Sequence, residues 1–91
     1  MPYIDETRRG HIKQGIDRAL EDVLSCGDLN YAITRLCDGY LTSYPETYSA
    51  YNEVVGALEC AKQELYRRLI APYENKKIKE NGDVYDKSRT I

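Results

Sequence analysis

Lys62, Tyr66, Arg67 and Arg68 crowd three cations and an aromatic ring into seven residues. That combination suits an anionic ligand. A guanidinium can hold a phosphate through two parallel N–H bonds, and a tyrosine ring can stack on a base. At a helical rotation of about 100° per residue, Asn52, Gly56, Glu59, Gln63 and Tyr66 form one stripe at i, i+4, i+7, i+11 and i+14. Arg67 borders it. Asn52 and Gln63 would read polar edges of a ligand, and Lys62, Arg67 and Arg68 would take phosphate. Glu59, one turn from Lys62, is its expected intrachain partner. Candidate ligand-binding residues are therefore Lys62, Arg67, Arg68, Tyr66, Asn52, Glu59 and Gln63.

An apolar stripe of Tyr51, Val54, Val55, Leu58, Leu65 and Leu69 runs beside the polar one. By angle Lys62 falls inside that arc. Either its stem packs at the core edge with the ammonium in water, or it faces a groove or a symmetry partner. Gly56 in mid-helix costs about 1 kcal/mol relative to alanine. A closely approaching backbone, from the helix of Gly39 or from a second subunit, would explain it. A second patch is formed by Tyr31, Arg35 and Asp38 at i, i+4 and i+7. Tyrosine and arginine are enriched at binding hot spots, so these residues and Gly56 are candidate partner contacts.

Other chemistries lack their residues. A nucleophile–base pair usually needs a histidine, and the one histidine, His11, sits beside Gly10 as an ordinary surface residue. One histidine and the scattered Cys26, Cys37 and Cys60 do not have zinc-ligand spacing. There is no GxxxxGK[ST] loop and no GxGxxG after a strand, and EF-hand spacing is absent. The expectation is a protein that is not an enzyme and takes no cofactor.

These residues must be positioned by helices. The first is expected from about Asp5 to Ser25, with Ile12, Ile16, Ala19, Leu20, Val23 and Leu24 on one arc. Cys26-Gly27 would end it, Gly27 in a left-handed C′ position. Asp28 would cap a second helix whose buried face is Leu29, Ala32, Ile33, Leu36, Cys37 and Tyr40. The short turn between them favours an antiparallel hairpin. Thr42 to Thr47 is a loop, and Thr47 or Ser49 can cap a third helix reading from Tyr51 to Ile70. Pro72 either kinks that helix or starts a short fourth one over Pro72 to Glu80. Asn81-Gly82 is a stop signal, and Asp83 to Ile91 reads as a polar tail ordered by docking Val84 and Tyr85. The fold class is all-α: an antiparallel helical hairpin packed on a long third helix, with a bend or break at Pro72.

At 91 residues the chain reads as one helical domain, ordered over about 5–82. A core of that size is marginal. Small size, the polar stripe and an unusual aromatic set of nine tyrosines with no Phe or Trp together favour homo-oligomerisation. A formal charge of −2 argues against DNA or RNA as a partner, since phosphate neutralisation needs a basic face. No apolar run approaches the roughly 20 residues that span a bilayer, and the N-terminus lacks the apolar core of a signal peptide. An odd count of three cysteines without a CxxC pair fits a reducing cytosol, with Cys37 and Cys60 as half-buried helix residues.

The segments GDLNYAITRL (Gly27 to Leu36), YNEVVGALECAKQELYRR (Tyr51 to Arg68) and APYENKKIKENGDVY (Ala71 to Tyr85) resemble an uncharacterised family of short helical proteins. That family occurs in bacteriophages, prophages and gut-type Firmicutes, and the opening MPYI also fits it. The resemblance carries no known reaction and transfers no catalytic residue. It implies a phage or mobile-element context in the cytoplasm of a bacterial host, where small accessory proteins without enzyme motifs act by binding. The expected function is a homo-oligomer that sequesters a small anionic, nucleotide-type host immune signal. The alternative is a protein–protein inhibitor or adaptor of a host defence or regulatory protein.

Overall fold

The computed structural model describes residues 2–86, and among these every regular element is helical. The order is α1 (Glu6–Leu20), α2 (Cys26–Thr42), α3 (Tyr48–Leu65), a five-residue π-turn (Tyr66–Ile70) and α4 (Ala71–Asn81). The all-α expectation is met. The chain divides into two compact units, Met1–Leu58 and Glu59–Ile91. The division falls within α3. Of the expected polar tail, residues 87–91 lie outside the described residues.

Capping decides where α1 stops and α2 begins. Asp5 starts α1 by accepting from the Arg8 N–H at 3.0 Å. The helix then ends at Leu20, five residues before the expected Ser25. Its last turn tightens through i→i−3 bonds such as Asp22 N–H to the Ala19 carbonyl, 3.0 Å. Ser25 belongs to the next helix. Its Oγ accepts from Asp28 N–H at 3.1 Å, while Asp28 Oδ2 accepts from Leu24 N–H at 3.0 Å. Asp28, third residue of α2, reaches back one residue beyond the cap, a variant of the capping box, in which the third residue bonds the N–H of the cap residue itself. Ser25 is thus the N-cap, Asp28 its third-position partner, and Cys26-Gly27 the opening of α2 instead of the end of α1. Gly27 is not left-handed, because the one positive φ among the described residues is at Gly82.

Thr47 caps α3 through an Ala50 N–H to Thr47 Oγ1 bond of 3.1 Å. Helix α3 therefore begins at Tyr48, ahead of the expected Tyr51. Pro72 opens the short fourth helix, the second of the two expected outcomes, and the bend before it is carried by the π-turn. A proline ring collides with the carbonyl four residues back, here Arg68. The chain avoids the collision by widening the preceding turn, so that Ala71 N–H donates to the Tyr66 carbonyl five residues back. Pro72 then sits in the first turn of α4, where its missing N–H costs little. Gly82, at φ +88°, closes α4 with its N–H on the Ile78 carbonyl at 2.8 Å. A residue other than glycine would be strained there.

Buried side chains are scarce. Ala50, 7% exposed, is the one fully buried apolar residue among those described. Close backbone approaches are overwhelmingly local in sequence. On α2 only Ala32, Cys37 and Leu41 are half-buried. Leu29, Ile33, Leu36 and Tyr40, expected on the buried face, remain 40–60% exposed. No neighbouring element of the first unit covers them. Instead α1 and α2 flank an open groove of about 530 Å³. Cys60 is exposed, contrary to the half-buried expectation, and Cys37 is half-buried as expected. A Cβ built on Gly56 would meet nothing within 4 Å, and the same holds at Gly39, so no approaching backbone of this chain accounts for either glycine.

Two outcomes follow from these local features. Ser25→Ala should destabilise the fold by about 1 kcal/mol through loss of the cap, read as a lower denaturation midpoint. Gly56→Ala should stabilise α3 by about 1 kcal/mol. Destabilisation instead would mean that something outside this chain closes on that position.

Candidate functional site

The expected ligand residues divide between the two units. Asn52 lies in the first, on the early turns of α3, as does Gly56 of the expected partner contacts. Glu59, Lys62, Gln63, Tyr66, Arg67 and Arg68 lie in the second, on the last turns of α3 and the π-turn. Helical spacing in the second unit sorts them into two ladders, each gathered by a carboxylate. Glu59 Oε2 lies 3.3 Å from Lys62 Nζ, and Glu59 Oε1 accepts from Gln63 Nε2 at 3.1 Å. The Gln63 hydrogen bond, followed by the Lys62 charge, holds the Glu59 carboxyl below its usual pKa. Lys62 is therefore not a core-edge residue. Its side chain is 71% exposed, and Glu59 is its partner, as the spacing suggests.

The second ladder centres on Glu64, which is half-buried. Its Oε1 lies 2.6 Å from Arg67 Nη2 and 3.7 Å from Arg68 Nη1. Glu64 was not among the expected site residues, although its i+3 and i+4 spacing to the two arginines is a readable signal. Exposed pairs of this kind contribute only about 0.2–1 kcal/mol each. An incoming phosphate can therefore displace a carboxylate from a cation that is already oriented.

Tyr66 takes part in neither ladder. Its hydroxyl donates to Glu74 Oε1 at 2.6 Å, eight residues on, and its ring lines a separate groove of about 530 Å³ with Lys77, Ile78, Asn81 and Tyr85. In a plain α-helix, residues eight apart point about 80° away from each other. The π-turn absorbs about one residue, which realigns Tyr66 and Glu74 on one face. The phenol is pushed above its usual range, first by the hydrogen bond to Glu74 and then by that group's charge. Lys77 is held 5.5 Å from the centre of the Tyr73 ring and 3.2 Å from Glu80 Oε2.

Of the expected partner patch, Tyr31 is 67% exposed and Arg35 Nη1 contacts Asp38 Oδ2 at 2.9 Å. Tyr31 and Arg35 edge the groove between α1 and α2. Elsewhere in the first unit, the Tyr40 hydroxyl joins α2 to α3 by donating to Glu53 Oε2 at 2.7 Å. The Tyr51 hydroxyl reaches Glu46 Oε2 at 2.5 Å. Both phenols are shifted upward by these bonds. His11 is exposed on α1, and no cluster of three metal-ligating side chains exists among the described residues. No helix there is long and apolar enough to cross a membrane.

A raised phenol pKa stabilises the fold fully below the unfolded value near 10 and loses that contribution as pH climbs through the folded value. Ultraviolet titration should therefore show Tyr40, Tyr51 and Tyr66 ionising above the ordinary tyrosine value of about 10. Glu74→Gln should bring Tyr66 back towards the ordinary range. Pro72→Ala should do the same, by restoring a regular turn and separating the pair.

A family model, described as Domain of unknown function (DUF6899), matches residues 1–84, and the chain belongs to that family. No curated protein matches it and no solved structure does.

Proposed function

We propose that this member of the family works by binding instead of catalysis: as a homo-oligomer it captures a small anionic ligand of the nucleotide type and holds it unchanged. The supporting observation is the pair of carboxylate-centred ladders. Lys62, at the end of α3, and Arg67 and Arg68, in the π-turn that continues it, are each already turned by an exchangeable ion pair. Gln63, on the Glu59 ladder, supplies an amide for a polar edge. Tyr66 and Tyr85, which line the nearby groove of the same unit, supply rings for stacking. Sharing of the exposed apolar faces between copies supports the oligomer. The resemblance to short helical phage proteins suggests the setting, in which the ligand is a host immune signal and capture silences it.

A ligand that binds only the folded state raises stability by about 2.7 kcal/mol at a hundredfold excess over its dissociation constant. Thermal denaturation with cyclic dinucleotides and with ADP-ribose should therefore show a melting point several degrees higher for at least one of them. Lys62→Ala and Arg67→Ala should each remove that shift while leaving the ligand-free melting point in place. A protein indifferent to every such nucleotide, or variants that respond like the parent, would refute the reading. Mass spectrometry of the recovered nucleotide should show no change in mass.

A further inference from the structure

The first unit leaves large apolar side chains of α1 and α2 exposed around one groove. Residues Ile16 and Leu20 of α1, Val23 of the turn after it, and Leu29, Ile33 and Leu36 of α2 line the groove between those helices. Leu20, Leu29 and Leu36 are about half exposed or more, at 52%, 49% and 60%. The whole chain exposes 8570 Å². A folded monomer of its mass exposes about 5,400 Å², and two separate compact bodies with the lengths of its two units would expose about 6,500 Å². The excess over the whole chain is about 3,200 Å² on the first reckoning and about 2,100 Å² on the second. Obligate homodimer interfaces bury about 2,000–5,000 Å² in total, so the unmet area is what a second copy would supply.

We propose that the α1–α2 groove is the homodimer interface, occupied by the α1–α2 pair of a second copy, so that four helices enclose one shared apolar core. This rests on the homo-oligomer of the proposed function and adds the surface that forms it. The face is suited to meet itself. Two helices flanking an apolar groove, related to their copies by a two-fold axis, form the layer of a four-helix bundle. A two-fold contact also closes on itself and leaves no open end. The rim carries both charge signs, Asp22 and Asp28 with Arg35, so acid and base are both available to face a copy of the same rim. Tyr31, exposed at the groove edge, is of a type enriched in interface cores.

The test uses the full-length protein. Sedimentation equilibrium at micromolar concentration is expected to give a dimer or an even-numbered assembly of dimers. Isotope-filtered NMR on a mixture of ¹³C-labelled and unlabelled chains should then show intermolecular contacts among the methyl groups of Leu20, Leu29, Ile33 and Leu36. Leu36→Glu should raise the dissociation constant at least a hundredfold, and Leu69→Glu, in the second unit, should leave it within a few-fold. An oligomer whose intermolecular contacts exclude these methyls overturns the interface while sparing the oligomer. A folded, helical monomer overturns both and leaves the groove to a different macromolecule.

Discussion

Helices of 15 to 18 residues such as α1, α2 and α3 are marginal alone in water, and most helical stability in proteins comes from packing an amphipathic face. Here that face is present but uncovered. Isoleucines and leucines recur at helical spacing along α1 and α2, yet full burial reaches only Ala50. The rest of the architecture follows from this shortage. Ends are fixed by the Ser25–Asp28 cap and by Thr47. Surfaces are laced by i, i+3 and i, i+4 ion pairs, which are individually weak. Such devices specify where helices start and stop. They do not replace a core, and a shared core between copies is the physical remedy available to so short a chain.

The tyrosine excess acquires a purpose in the same frame. A phenylalanine at a half-covered joint contributes only area, whereas a tyrosine also needs a hydrogen-bond partner. Three of the nine tyrosines find one in a glutamate. Tyr40 to Glu53 ties α2 to α3, Tyr51 to Glu46 ties α3 to the loop before it, and Tyr66 to Glu74 spans the π-turn. Each bond reaches beyond the ordinary i+4 contact and fixes a direction change with little buried surface. The joints are directional and tolerate water, which suits a chain whose apolar faces are not closed within it.

The sequence made some of this legible and concealed the rest for identifiable reasons. Helical class, the Thr47 cap, the stop at Gly82 and the Glu59–Lys62 pair could be read because each depends on near neighbours. The cap of α2 is not legible, since Ser25 and Asp28 are both good N-cap residues and only the bond from Asp28 N–H to Ser25 Oγ distinguishes them. Tyr66 to Glu74 was hidden because angular arithmetic assumes an unbroken α-helix, and Pro72 shifts the register by about one residue. Burial of Leu29, Ile33 and Leu36 was over-read. A periodic apolar stripe shows that a face needs cover, not that the same chain provides it.

The candidate site has a matching logic. Strong rate acceleration requires dipoles and charges held rigidly in a water-excluded pocket. Lys62, Arg67 and Arg68 are instead exposed cations on flexible stems, and each is paired with a carboxylate on its own helix. In the proposed function, Glu59 and Glu64 offset part of the cationic charge until an anion arrives, and re-pair with the cations when it leaves. Exchange of partners in water does little to lower a barrier, but it suffices for selective capture, because a phosphate accepts bidentate guanidinium bonds. On that proposal, weakly held pairs serve reversible binding, because each can be exchanged for a contact to the ligand at little cost.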